Sequence, residues 1–427
     1  QPATCSINPE CGEEWRKGKL AARKKGPFLV VGAGPAGLTA AHFLSLCGYR
    51  LTIVEADAYP GGMLLSCIPP YRLPREVIQK EIAALLDKNM TLRLGTRFGS
   101  DCDIDSLFAE GHQAVFLALG AHRSRRMGIP GEEGTVGVYP SVEFLKSFNL
   151  RSEMKARGRV TVIGGGNSAV DAARVALRQD GVESVTIYYR RTRDEMPALE
   201  EEVAAALHEG VKLETLVAPL RILARNGRVS EVEMIRNRLG ETDASGRRAP
   251  VPIPKSEFRI RTDTVIVAIS EEPDTDINYL KSMGIEVSPN GTIRADPVTL
   301  MTGRRGVFAG GDVVTGPSFV VDAIAAGKRA AVMIDHFLRN EPLAEPKGIR
   351  LPDVYVPVPD GEDEFARLPR AEPPRLPAEL TRRSFAEVEL SLSVAEATME
   401  SRRCLRCDLE FTKPKVESAA AAGGRVA

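Results

Sequence analysis

Residues 28–37 read Phe-Leu-Val-Val-Gly-Ala-Gly-Pro-Ala-Gly. The four apolar residues predict a short buried strand, and the apolar periodicity from Gly37 to about Leu46 predicts a helix directly after the glycine-rich turn. A second predicted strand runs from Arg50 to Glu55. Strand, helix and strand in this order form a β-α-β unit, which requires a parallel sheet with helices on its faces.

The turn itself has the spacing G-x-G-x-x-G. Its first glycine permits the tight bend, the second lets a pyrophosphate approach the backbone, and the third lets helix and strand pack closely. The helix N-terminus offers free N–H groups to phosphate, and an acid at the end of the next strand is placed to bind a ribose hydroxyl. The alternative is a tight-packing turn that holds no ligand. The predicted dinucleotide-binding residues here are Gly32, Gly34, Pro35, Ala36, Gly37 and Glu55.

The same pattern returns further along the chain. Residues 159–163 predict a strand, a helix follows through about Leu177, and residues 184–189 predict another strand. The wide separation of the two turns suits two nucleotide-binding domains rather than a solenoid repeat. The second turn is the G-x-G-x-x-A variant, and its predicted binding residues are Gly164, Gly166, Asn167, Ser168 and Ala169.

The strand after the second turn lacks the terminal acid. Alignment of the strand ends puts Tyr189 where Glu55 stands, and Arg190 and Arg191 follow at once. A missing carboxylate with adjacent arginines fits a 2′-phosphate, because arginine offers a planar two-pronged donor to phosphate. The site therefore favours NADP(H) over NAD(H). The alternative is that both arginines form a solvated strand end or contact the pyrophosphate.

Further motifs lie between and after the two turns. They are Gly-Gly-Met-Leu at 61–64, Ile-Pro-Pro-Tyr-Arg-Leu-Pro at 68–74, Leu-Ala-Leu-Gly-Ala at 117–121, Ile-Pro-Gly-Glu at 129–132, residues 163–173, residues 189–198, and Val-Phe-Ala-Gly-Gly-Asp at 307–312. With these motifs, residues 26 to 340 resemble the FAD- and NAD(P)-dependent pyridine nucleotide-disulfide oxidoreductases typified by the small (beta) subunit of glutamate synthase.

The resemblance implies that the first site holds FAD, with Glu55 on the adenosine ribose and Asp312 at the ribityl or pyrophosphate part. The second site would hold the nicotinamide cofactor. Hydride would then pass between nicotinamide C4 and flavin N5, chemistry that belongs to the cofactors, so we assign no catalytic side chain. The further cofactor-binding residues that the resemblance implies are Gly62, Met63, Arg72, Gly120 and Gly311.

The expected fold class is α/β, with two Rossmann-like dinucleotide-binding domains and the NAD(P) domain inserted in the FAD domain. After residue 340, proline, glutamate and arginine dominate, which is typical of an extended connector. The predicted parts are an N-terminal cysteine-containing segment 1–25, the FAD domain 26–155 and 290–340, the NAD(P) domain 156–289, and an extended C-terminal arm 341–427 with a C-x-x-C motif and a flexible tail.

Composition and charge exclude several classes of protein. The chain has 57 Lys and Arg against 57 Asp and Glu, and a net charge of zero argues against a nucleic-acid binder. No run of about 18 apolar residues predicts a membrane span. The chain begins without a signal-peptide pattern. Its odd count of seven cysteines fits a reducing compartment. We therefore expect a cytoplasmic protein.

The cysteines allow one metal prediction. If the two ends of the chain meet, four thiols could ligate one [4Fe–4S] cluster or a zinc ion; the alternative is two free pairs. The remaining cysteines form no C-x-x-C, which disfavours a disulfide reductase, and the five histidines show no ligand spacing. The four candidate ligands are Cys5, Cys11, Cys404 and Cys407.

The resemblance implies an FAD-containing subunit that passes electrons between a nicotinamide cofactor and the iron–sulfur clusters of a partner. That partner would belong to a complex similar to glutamate synthase or to an aldehyde, formate or ferredoxin oxidoreductase. One alternative is a stand-alone NAD(P)H:ferredoxin or quinone reductase. Another is a structural FAD-bearing subunit with an inactive nicotinamide site. Residues 268–274 read Ala-Ile-Ser-Glu-Glu-Pro-Asp, where the relatives implied by the resemblance commonly carry Ala-Ile-Gly-Gln/Arg-x-Pro-Asp, and the carboxylates of Glu271 and Glu272 could repel a cofactor phosphate.

Overall fold

The computed structural model describes residues 5, 7–11, 27–243, 246–344 and 370–402. These belong to two compact units. The larger unit comprises residues 4–345 and 376–388 and carries the sheets. In the smaller unit, Arg375 bridges Glu389 near a helix that begins at Val394.

The described part of the chain contains strands from 2 to 15 residues long. In chain order they are β1 (Phe28–Val31), β2 (Leu51–Val54), β3 (Met90–Arg93), β4 (Val115–Leu117), β5 (Arg123–Ser124), β6 (Val138–Pro140), β7 (Gly158–Ile163), β8 (Val182–Tyr189), β9 (Lys212–Thr215), β10 (Val217–Arg225), β11 (Arg228–Thr242), β12 (Arg248–Pro252), β13 (Phe258–Arg261), β14 (Thr264–Val267), β15 (Glu271–Glu272) and β16 (Val307–Ala309).

The described part of the chain also contains helices from 4 to 19 residues long. In chain order they are α1 (Pro35–Leu46), α2 (Met63–Ser66), α3 (Arg75–Leu85), α4 (Ile104–Ala109), α5 (Ser141–Arg151), α6 (Asn167–Leu177), α7 (Glu200–Glu209), α8 (Ile277–Ser282), α9 (Asp312–Thr315), α10 (Val320–Leu338), α11 (Ala378–Thr381) and α12 (Val394–Arg402).

The first sheet has the order β16-β4-β1-β2-β3, and every pair in it is parallel. Strand β1 is buried on both faces: Phe28 and Val30 pack with α1 and α10, whereas Leu29 packs with the opposite cluster. Buried parallel strands read as continuous apolar runs for this reason. The chain leaves this sheet after β4 and returns to it with β16.

The second sheet, β6-β14-β7-β8-β9, is also entirely parallel. Side chains of α5, α6 and α7 form the core on one face. The other face packs against an antiparallel sheet of β10, β11, β12 and β13, where Val265 and Val267 meet Val232 and Met234. This antiparallel layer is not among the elements predicted from the sequence.

The two parallel sheets confirm the predicted α/β class. The chain enters the second sheet before the predicted boundary at residue 156, because β6 already pairs with β14. It returns to the first sheet before the predicted boundary at residue 290, because Leu280 and Ile285 already pack with that sheet. Strand β6 consists only of Val-Tyr-Pro, which is too short to show the periodicity by which a strand is predicted from sequence.

Part of the predicted arm, residues 376–388, belongs to the larger unit. The ring of Phe385 lies 4.3 Å from that of Phe148, centroid to centroid. The Arg178 Nε donates to the Ser384 carbonyl at 3.0 Å, and the Val388 N–H donates to the Tyr71 carbonyl at 3.0 Å. Residues 376–388 therefore contribute to the core around α5 and α6.

We expect Phe385→Ala to lower the free energy of unfolding by about 2 kcal/mol, less than for a fully buried aromatic ring because Phe385 is half-buried. Urea denaturation of the full chain measures this change. Leu380→Ala is the control, since Leu380 is 58% exposed. Equal losses in both variants would contradict a packed role for this segment.

Candidate functional site

The first glycine turn lies between β1 and α1. Gly32 has φ +104°, and a Cβ on it would sit 2.3 Å from the Ala118 carbonyl oxygen. A Cβ on Gly37 would sit 1.9 Å from the Gly32 carbonyl oxygen, whereas one on Gly34 would meet only the Gly62 Cα at 4.0 Å. The protein's own packing thus requires the first and third glycines, and the second leaves space open for a ligand.

The second turn, between β7 and α6, repeats this arrangement. Gly164 has φ +148°, and a Cβ on it would sit 1.9 Å from the Ala268 carbonyl oxygen. A Cβ on Gly165 would collide with the ring of Tyr189, but one on Gly166 would meet only Pro197 at 4.0 Å. Open space again lies beside the glycine that precedes the helix, where free N–H groups favour phosphate.

Glu55 directly follows β2 and is held by the first turn. Its Oε2 accepts the Ala33 N–H at 2.7 Å, and its Oε1 accepts the Asp57 N–H at 2.8 Å. Each carboxylate oxygen can accept a further hydrogen bond. The predicted contact with a ribose hydroxyl is therefore compatible with these bonds.

One cavity of about 610 Å³ receives residues from both turns. It extends past Glu55, Ser168 and Asp312, which follow three different parallel strands. Ligands of open α/β sheets bind at the carboxyl ends of the strands, and this cavity lies at those ends. The predicted cofactor-binding residues that line the cavity are Gly32, Gly34, Pro35, Ala36, Glu55, Gly62, Met63, Arg72, Gly120, Asn167, Ser168, Gly311 and Asp312.

The other predicted binding residues do not line this cavity. Gly37 and Ala169 are buried where a helix packs against a strand. Gly164 lies against the carbonyl of Ala268, the residue that follows β14. The remaining residues outside the cavity lining are Gly166, Arg190 and Arg191.

The two adjacent arginines have different surroundings. The Arg191 side chain is 3% exposed; it donates to Asp243 at 2.5 Å and to the Arg248 carbonyl at 2.7 Å. Arg190 is exposed. Of the pair, Arg190 is the one whose guanidinium is accessible to a ligand in solution.

Arg72, predicted from the resemblance as a cofactor contact, joins the two halves of the cavity. Its guanidinium lies 2.8 Å from Asp171 on α6 and 2.9 Å from Glu202 on α7. Burial raises the pKa of Asp171, and the Arg72 charge opposes that rise. The arginine therefore compensates a buried carboxylate.

Asp312 begins α9 at the end of β16 and accepts a hydrogen bond from the Ser318 hydroxyl at 3.0 Å. Burial raises the pKa of Asp312 to about 6. At neutral pH the group is mostly ionised and can accept hydrogen bonds from sugar hydroxyls.

Three further residues line the cavity but are not among the predicted cofactor-binding residues. Burial lowers the pKa of His122, so its ring is neutral at pH 7. Burial raises the pKa of the Cys67 thiol to about 12, which keeps it protonated. Glu271, one of the two carboxylates that could repel a phosphate, is 9% exposed and lines the cavity. No local motif signals these positions, because tertiary packing creates them.

The predicted metal ligands are only partly described. Cys404 and Cys407 lie outside the described residues, so the four-thiol site stays a prediction. Cys5 and Cys11 are half-buried free thiols, and the Asn8 N–H donates to the Cys5 Sγ at 3.4 Å. Within the described ranges, no group of three or more metal-ligating side chains occurs.

Two parallel sheets with glycine turns on one cavity define the class of proteins that bind two dinucleotides. The family model described as pyridine nucleotide-disulphide oxidoreductase matches residues 27–327. The chain belongs to this family of FAD- and NAD(P)-dependent oxidoreductases, which confirms the resemblance. None of the helices in the described ranges is long and apolar enough to cross a membrane.

Relatives of known name include the NADP(+)-dependent formate dehydrogenase subunit beta of Moorella thermoacetica. It is 44% identical over 386 residues, which are 88% of this chain and 54% of that protein. The glutamate synthase [NADPH] small chain of Escherichia coli is 34% identical over 76% of this chain and 71% of its own. The chain spans about half the length of the first relative.

A solved structure supports the fold. FprA from Mycobacterium tuberculosis in complex with NADPH aligns with a TM-score of 0.63 over 74% of this chain and 85% of its own. The sequences are 19% identical, so the likeness concerns the fold alone.

We expect Gly34→Ala to weaken FAD binding at least about tenfold, or about 1.4 kcal/mol, because the new methyl fills the open space. Gly37→Ala should instead lower the unfolding free energy of the apoprotein by about 2 kcal/mol or more, through a backbone collision. FAD titration and urea denaturation of the apoproteins separate the two effects. Undiminished FAD affinity in Gly34→Ala would refute this ligand position.

The raised pKa of Asp312 predicts a pH dependence. A carboxyl that titrates near 3.8 when unfolded and at about 6 when folded binds more protons in the folded state between those values. Its contribution to stability therefore falls as pH rises through this interval. Asp312→Asn removes this loss, so the apoprotein variant should gain stability relative to the wild type between about pH 4 and pH 6.

Urea denaturation at several pH values checks this expectation. The exposed Asp194→Asn variant is the control. A constant difference between wild type and Asp312→Asn at all pH values would contradict the assignment.

Proposed function

We propose that the chain is an FAD-containing module that passes electrons between NADP(H) and the iron–sulfur clusters of a partner oxidoreductase subunit. One observation carries the proposal: a single cavity receives residues of both glycine turns. Two dinucleotides bound at those turns would meet within it. The names of the two relatives, a subunit beta and a small chain, support a role within a larger complex.

The residues of the first turn fit FAD. The open space at Gly34 admits a pyrophosphate, and the start of α1 supplies N–H donors. Glu55 and Asp312 offer carboxylate acceptors for the sugar and ribityl hydroxyls. FAD, when bound, takes up two electrons as hydride and releases them singly, which suits exchange between a nicotinamide and one-electron carriers.

The second turn fits the nicotinamide cofactor. Gly166 leaves space, and α6 begins beside it with Asn167 and Ser168 on the cavity. Arg190 is exposed at the end of β8, where a 2′-phosphate would lie. The names of both relatives include NADP(+) or NADPH, which supports NADP(H) for this chain.

The partner and the location are part of the same proposal. A partner bearing iron–sulfur clusters would accept or supply single electrons and would hold the substrate site. Cys47, Cys67 and Cys102 are free thiols, which suits a reducing compartment. We place the protein in the cytoplasm on this basis.

Anaerobic mixing of the FAD-loaded protein with NADPH or NADH tests the nicotinamide step. Loss of the oxidised flavin absorbance should be fast with NADPH and slower with NADH. Absence of bleaching by either cofactor would contradict the proposal and favour a structural role for the flavin. Rapid turnover with ferredoxin or quinone and no tight partner would favour the stand-alone reductase.

We expect Arg190→Ala to raise the concentration of NADPH needed for half-maximal flavin reduction about tenfold, since a charge-assisted contact to the phosphate is lost. The value for NADH should stay unchanged, because NADH lacks that phosphate. Stopped-flow reduction with both cofactors measures this difference, and Arg193→Ala is the exposed control. Equal effects on NADPH and NADH would show that Arg190 does not read the phosphate.

A further inference from the structure

Two consecutive carboxylates in β15 have opposite surroundings. The strand pairs with β5, where Glu271 lies opposite Ser124 and Glu272 opposite Arg123. Successive side chains of a strand point to opposite faces. Glu272 forms ion pairs with Arg123 at 2.9 Å and with Arg125 at 3.6 Å. Glu271 turns instead to the cavity.

The Glu271 carboxyl is buried and has an unused acceptor. It is 9% exposed, and no described residue donates a hydrogen bond to its Oε1. Burial raises its pKa, opposed only by the Ser168 hydroxyl and by backbone hydrogen bonding. None of these groups carries a positive charge, and a buried carboxylate without a cation is unstable. A positively charged ligand would therefore stabilise the ionised carboxylate of Glu271.

The position of Glu271 indicates which part of a ligand it meets. Ser168, which bonds it, stands at the start of α6 in the second glycine turn. The charge of Glu271 also acts on Cys67 and on Asp312, which line the same cavity. Cys67 packs with the core of the second sheet, whereas Asp312 follows β16 of the first sheet. Glu271 thus lies where the cavity passes from one turn to the other.

We propose that Glu271 binds the nicotinamide end of the cofactor and favours its oxidised, cationic ring over the reduced, neutral ring. This inference rests on the proposed function and deepens it. The oxidised ring carries one positive charge and the reduced ring carries none. A carboxylate in a water-poor cavity attracts the former more strongly, and its free oxygen can also accept the carboxamide N–H.

A preference for the oxidised ring has a consequence for electron flow. Binding and hydride transfer are thermodynamically linked. If NADP⁺ binds more tightly than NADPH by some factor, the equilibrium of hydride transfer between the bound cofactors shifts toward reduced flavin by that same factor. The carboxylate would thereby favour transfer from nicotinamide to flavin within the complex.

Calorimetric titration of the FAD-loaded full chain tests this role without turnover. The ligands are NADP⁺, tetrahydro-NADPH, whose ring is neutral and transfers no hydride, and adenosine 2′,5′-bisphosphate, which lacks the nicotinamide. In Glu271→Gln, the dissociation constant of NADP⁺ relative to that of tetrahydro-NADPH should rise about tenfold. Binding of the bisphosphate should stay unchanged.

Glu272→Gln is the matched control, and its three dissociation constants should keep the wild-type ratios. Glu271→Met provides a second neutral side chain of similar size if the glutamine variant does not retain FAD. An unchanged ratio for NADP⁺ and tetrahydro-NADPH would overturn the role of Glu271 while leaving the proposed function intact. Failure of the wild-type protein to bind any of the three ligands would overturn both.

Discussion

The architecture depends on a backbone contact that only glycine permits, and it occurs twice. At each glycine turn, the carbonyl of the residue after a neighbouring parallel strand occupies the place of a side chain. Ala118 follows β4 and meets Gly32, and Ala268 follows β14 and meets Gly164. The contact seats each turn at the edge of its sheet, so that the following helix begins over the carboxyl ends of the strands. That position is where α/β sheets bind dinucleotides.

A second set of contacts ties the two halves of the cavity together. The segment that carries Tyr71 and Arg72 reaches α6 of the second sheet: Arg72 pairs with Asp171, and the Tyr71 ring lies 4.2 Å from the Arg178 guanidinium. Arg178 in turn pairs with the buried Glu209 at 2.7 Å. Removal of one partner from such a network leaves an uncompensated buried charge and is therefore strongly destabilising.

The sequence allowed prediction of those features that depend on local pattern. The strands and glycine turns within residues 28–55 and 159–189 could be predicted, because a few adjacent residues determine both the bend of the turn and the start of the helix. Strand β6 was missed because three residues carry no periodicity, and the antiparallel layer β10–β13 was not recognised beside the stronger glycine motifs. Arg191 pairs with Asp243, 52 positions away, and Glu271, buried at 9% exposure, pairs with Ser124 of the distant strand β5. Such features follow from tertiary structure, which local pattern does not encode.

The central claim is that one cavity lets the flavin and the nicotinamide meet. Absorbance spectroscopy of the chemically reduced, FAD-loaded protein tests this claim directly, with NADP⁺ added under anaerobic conditions. Stacked rings of a reduced flavin and an oxidised nicotinamide produce a long-wavelength charge-transfer band. We expect the band to appear on addition of NADP⁺ and to be absent with adenosine 2′,5′-bisphosphate. Binding of NADP⁺ without such a band, and without reoxidation of the flavin, would contradict it.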